Sequence, residues 1–108
     1  MAENTLPQSY QDFRNRYPKL AGAIEELGRA AREEGPLDEK SAQLIQLAAA
    51  ASSRSEGAVH SHVRRALNAG ASVEEVRHSI LLLTSTIGFP TVMAALSWVD
   101  DILERPAS

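Results

Sequence analysis

The chain has 108 residues, a formal net charge of −3, 5% aromatic residues and no cysteine. One domain of this length buries only a small core, and the acidic balance speaks against a nucleic-acid partner, which calls for a basic footprint. The lack of cysteine excludes disulfides, thiolate metal sites and cysteine nucleophiles.

Abundant alanine and leucine suit helices packed closely through small side chains. No segment keeps a period of two, so strands are not expected. The start, "MAENTLPQSYQDF", lacks a basic segment followed by an apolar run, so no signal peptide is expected and the cytoplasm is the default location. Residues 1–108 are expected to form a single domain, with residues 1–17 as a short N-terminal helix or arm and residues 105–108 as a frayed tail.

Tyr10, Phe13 and Tyr17 recur at helical spacing, and Pro18 stops that first helix. Leu20, Ile24, Leu27 and Ala31 form the apolar stripe of the next, which Gly35-Pro36 ends. Asp38 is placed to cap a third helix with an inner face of Leu44, Ile45, Ala48 and Ala51. The polar run 52–55 breaks the chain before "EGAVHSHVRRALNAG" at 56–70, which Gly70 closes. "SVEE" at 72–75 spells a capping box, with Ser72 accepting from the Glu75 amide and Glu75 reaching back. Val73, Val76, Ile80, Leu83 and Ile87 make the stripe that follows, and the last helix starts near Pro90 and buries Val92, Ala95, Leu96, Val99 and Leu103. The span from Ile80 to Val99 has no charged residue. Gly88-Phe89-Pro90 interrupts it, so it reads as two helices meeting at a turn and not as one membrane span.

The central helix carries the unusual polar groups. On a wheel of about 100° per residue, Val59, Val63, Ala66, Leu67 and Gly70 define the apolar face, and Glu56 falls inside it. An inward carboxylate needs a partner; the same residue also suits a helix N-terminus, where the macrodipole favours it. His62 stands on one shoulder among Ser55, Ala58 and Ala66, as a hydrogen-bonded core histidine or as a catalyst. His60 stands on the other shoulder, one turn after Glu56. Glu56 and His60 form either an ordinary i,i+4 pair or two ligands of a metal. His78, the remaining histidine, sits on a polar face. Arg64 and Arg65 read as solvated, and Lys40, Arg54 and Arg77 either attract an anion or are scattered surface charge.

The segment Lys40–Pro90 resembles the carboxymuconolactone decarboxylase and alkylhydroperoxidase D-like family. The carrying pattern is "HVRRALNAGASVEEVRHSILLLTSTIGFP", preceded by "LDEKSAQLIQLAAAAS". The resemblance implies an all-α fold, an alkylhydroperoxidase D-like bundle of about five to six helices, assembled as trimers or as hexamers of dimers. The peroxidase branch uses Cys-x-x-Cys-x-x-x-His with an upstream acid. His62 matches the motif histidine, the cysteine positions fall on Ser55 and Ala58, and the acid falls on Gln43, so thiol peroxidase chemistry is not expected. The decarboxylase branch keeps a glutamate six residues before the histidine, as Glu56 stands to His62. Its arginine near the start of the preceding helix aligns with Ala42, with Lys40 as the substitute.

The resulting expectation is a cofactor-free acid/base enzyme acting on a small anionic lactone or keto acid in a pocket between subunits. His62 and Glu56 are its catalytic residues, and His60, Lys40 and Ser55 contact the substrate. The expected partners are a small-molecule ligand and further copies of the chain, with no nucleic acid and no membrane. The alternative is a non-catalytic oligomeric binding or scaffold protein, with Glu56 and His60 holding a metal.

Overall fold

The structure, a computed structural model, describes residues 8–104. The expected tail at 105–108 and the first seven residues of the expected arm lie outside the described residues. Among the described residues there are six helices of nine residues or more and one four-residue turn of helix, with no strand. The helices divide into two compact units, parted between Leu37 and Asp38.

The first unit holds α1 (Gln8–Arg16) and α2 (Pro18–Glu33). Pro18 ends α1 and opens α2 at a position where its missing N–H costs nothing. The Phe13 ring lies 6.3 Å from Tyr10 and 5.6 Å from Tyr17, and the Tyr10 hydroxyl donates to Glu25 Oε2 at 2.6 Å. The stripe of Leu20, Ile24, Leu27 and Ala31 forms on α2 but stays exposed. Spacing alone fixes that these residues share a face; a two-helix unit has no second layer to cover it.

The second unit begins at α3 (Glu39–Ser52), with Asp38 capping it and accepting from the Ser41 amide at 3.2 Å. Hydrogen bonds from Ser41, its hydroxyl first and its amide second, hold the Asp38 carboxyl below its ordinary pKa. The buried line of α3 is Gln43, Leu47, Ala50 and Ala51, whereas Ile45 is exposed and Leu44 and Ala48 lie at its edge. The expected inner face is therefore rotated, because it passed over a polar residue that the fold buries.

The link from α3 to α4 (Glu56–Asn68) is a two-bond helix cap. Ser55 N donates to Ala50 O and Arg54 N to Ala51 O, both at 3.0 Å, with Arg54 left-handed at φ 55°. The same cap recurs after α4: Ala71 N donates to Ala66 O at 2.9 Å, Gly70 N donates to Leu67 O at 3.1 Å, and Gly70 takes φ 99°. α5 (Val73–Leu81) opens with the expected capping box, Glu75 N to Ser72 Oγ at 3.0 Å and Ser72 N to Glu75 Oε1 at 2.8 Å.

The stripe running on to Ile87 was expected to lie on one helix, but α5 stops at Leu81 and α6 (Thr84–Ile87) is a separate turn. Leu83 N reaches back only three residues to Ile80 O, and Thr84 Oγ1 donates to Leu81 O at 2.8 Å, so a side-chain hydroxyl competes for the backbone there. Gly88, at φ 93° and ψ 153°, makes the expected turn into α7 (Phe89–Leu103). No helix among the described residues is long and apolar enough to cross a membrane.

The core of this unit comprises Leu47, Val59, Val63, Val76, Ile80, Val92 and Val99, all 1% exposed or less, closed by small residues such as Ala51, Ala66 and Ala95. Each fully buried Val, Leu or Ile contributes about 1.5–3 kcal/mol. On α7 the buried residues are Val92, Ala95, Val99 and Ile102, with Leu96 and Leu103 half-buried beside them.

Candidate functional site

α4 packs against both α3 and α7, and its polar side chains divide between them. His60 and His62 are two residues apart, about 200° around the helix, so they emerge on opposite flanks.

On the α3 flank, His62 Nδ1 lies 2.8 Å from Gln43 Oε1, and Gln43 Nε2 donates to Glu39 Oε2 at 2.7 Å. Gln43 is 1% exposed. A buried amide left unpaired costs about 1–3 kcal/mol, and here both of its ends are bonded. The chain of donors has a definite sense. An ionised Glu39 carboxylate only accepts, so Gln43 turns its NH₂ toward it and its carbonyl oxygen toward His62. That oxygen also only accepts, so the proton of neutral His62 resides on Nδ1 and the lone pair on Nε2. Ala58 and Ala66 on α4 leave little bulk beside the ring.

On the α7 flank, His60 Nε2 lies 3.0 Å from Asp101 Oδ2, with the His60 side chain 18% exposed. Glu56 joins these two, and one ligand-capable atom from each residue lies within 4.8 Å of the others. Glu56 is exposed at the first position of α4. The expected inward carboxylate is thus corrected: the helix starts at Glu56 itself, so this side chain stands at an open N-terminus and not against the core. The structure groups Glu56 with His60 and Asp101, and His62 with Gln43 and Glu39.

The remaining expected residues are placed as follows. Lys40 Nζ binds Glu75 Oε2 at 3.1 Å, tying the start of α3 to the start of α5. The Glu75 carboxyl is held below its ordinary pKa, first by the Ser72 amide and then by Lys40. Ser55 precedes α4 with an extended backbone and makes no side-chain capping bond. Arg77 binds Asp100 at 3.0 Å and Arg54 donates to Thr91 Oγ1 at 2.8 Å, so these cations are engaged within the fold. Arg65 is exposed as expected, but Arg64 is buried. It lies one turn beyond His60 on α4. His78 is exposed. A shallow hollow lined by Asp12, Phe13, Arg16 and Tyr17 in the first unit contains none of the expected residues.

Residues 18–101 match the carboxymuconolactone decarboxylase family. The chain belongs to that family. It is also similar to an uncharacterized protein of Haemophilus influenzae, 41% identical over 61 residues. The matched region covers 56% of this chain and 54% of that protein, so the chain spans about half the length of the curated relative it matches. Family membership agrees with the all-helical fold and with the resemblance carried by residues 40–90.

Gln43 and Asp101 were not among the expected site residues. Gln43 stands where the family's peroxidase branch has its acid, and Glu39 precedes it by four residues, one helical turn; together these signals mark it. Asp101 gave no local signal, since only the packing of α7 on α4 brings it to His60.

Proposed function

We propose that this member of the carboxymuconolactone decarboxylase family is a cofactor-free acid/base enzyme, with His62 as the proton-transferring group. The observation that carries this reading is the Glu39–Gln43–His62 chain of hydrogen bonds. It orients the imidazole and puts the basic lone pair on Nε2, as a general base requires. Nε2 takes a proton from carbon or oxygen of the substrate and returns it to the product, while Gln43 and Glu39 hold the ring. Gln43 is the residue hydrogen-bonded to His62, whereas Glu56, expected as its catalytic partner, lies with His60 and Asp101.

The family name directs the substrate class to small carboxylated lactones and keto acids. The proposed pocket is completed by further copies of the chain, as a trimer or hexamer. The unpartnered apolar residues of the second unit support this: Leu82 is 62% exposed and Phe89 61%.

The test is solvent-proton exchange and decarboxylation followed by NMR in D₂O, with carboxymuconolactone and acetoacetate as probes. Wild-type protein is expected to turn over at least one probe. His62→Gln is expected to lose at least about a hundredfold in rate, the scale of a general base, while sedimenting as a multimer identical to wild type. Equal turnover in the two proteins, or none in wild type, contradicts the reading.

A further inference from the structure

We infer that Glu56, His60 and Asp101 form a binding site for a first-row divalent transition-metal ion, clamping the start of α4 to the end of α7. The three groups come from two helices. Glu56 and His60 are one turn apart on α4, and Asp101 reaches them from α7. At metal–ligand bonds of about 2.0–2.2 Å, neighbouring donors stand about 3.3–3.6 Å apart in tetrahedral geometry and about 2.8–3.1 Å apart in octahedral geometry. His60 Nε2 and Asp101 Oδ2 already have the octahedral spacing, at 3.0 Å. All three donor atoms fall within 4.8 Å of one another, and Glu56 is exposed, so a side-chain rotation of Glu56 closes the set.

The chemistry of the donors selects the ion. Two carboxylates and a neutral imidazole sum to −2, matching a dication. The imidazole nitrogen favours zinc, manganese or iron over magnesium and calcium, which prefer oxygen alone. The half-buried histidine anchors the set, and the exposed carboxylates leave outer positions to water. Asp100 is already held by Arg77, so Asp101 is the carboxylate of that pair turned toward α4. When the ion binds Nε2, the proton shared with Asp101 leaves that nitrogen and the neutral ring carries its proton on Nδ1. The site lies across α4 from His62 and does not depend on the catalytic reading.

Calorimetric titration of tag-free, chelator-treated full-length chain with ZnCl₂, MnCl₂ and MgCl₂ tests this. The expected result is one zinc per chain, bound more tightly than manganese and far more tightly than magnesium, with a rise in Tm on zinc addition. Asp101→Asn and His60→Ala should each weaken zinc at least tenfold, with circular dichroism confirming that both remain helical. His78→Ala and His62→Gln should bind zinc as wild type does, so loss of the catalytic role leaves this result untouched. No saturable zinc, wild-type affinity in Asp101→Asn, or magnesium bound as tightly as zinc overturns the proposal.

Discussion

Gln43 does more for the site than its residue type suggests. It is a neutral side chain on the buried line of α3, and it transmits the charge of Glu39 to the ring of His62 without placing a second carboxylate in the interior. The arrangement is economical in solvation terms, because the charged end stays at an exposed residue and only the amide is buried. Replacing Gln43 by leucine keeps the volume and removes the acceptor. Stability to urea is expected to fall by about 1–3 kcal/mol, since the half-buried His62 ring loses its acceptor while the buried volume is kept. The rate is also expected to fall tenfold or more through kcat, with KM little changed, because the ring no longer favours the Nδ1–H form. A fall in stability with no change in kcat would make Gln43 a packing residue only.

At the scale of the helices, the ends were the most legible features. Asp38, Gly70, Ser72–Glu75 and Gly88 act locally, so a few residues of sequence contain the whole interaction. Arg54 is the exception, a left-handed position without glycine that nothing in the sequence marked. Helix faces were less legible. On α3 the inner face was rotated because Gln43 is polar, and on α4 Arg64 is buried despite its charge. In both cases neighbouring helices, and not the residue's own hydropathy, decide what is covered. The capping box yields a pH prediction. Glu75 is held below its ordinary pKa in the folded chain, so it contributes stability above its unfolded pKa, and that contribution is lost as pH falls through the folded value. In urea unfolding, wild type is expected to exceed Glu75→Gln most near pH 7, and the gap should shrink progressively as pH falls below the unfolded carboxylate pKa of about 4.3. A gap that does not vary with pH would contradict this.

For the molecule as a whole, the second unit is the more legible part. Its all-helical character, the turn at Gly88 and the family pattern were readable because small residues, caps and breakers recur at fixed spacing. The two separate polar groups on α4 were only half readable. The wheel placed His60 and His62 on opposite shoulders, but it turned Glu56 inward, and the partners Asp101 and Gln43 come from other helices. The apolar stripe of α2 shows the same limit: its existence is written in its spacing, whereas its exposure is not. The central claim is that the fold holds His62 with its proton on Nδ1 and its lone pair on Nε2. Nitrogen-15 NMR of uniformly labelled protein, above the pH at which His62 becomes neutral, reads this directly. The account predicts a pyrrole-type Nδ1 and a pyridine-type Nε2 for His62 in wild type, with averaging toward both forms in Gln43→Leu. A protonated Nε2, or averaged nitrogens in wild type, would contradict it.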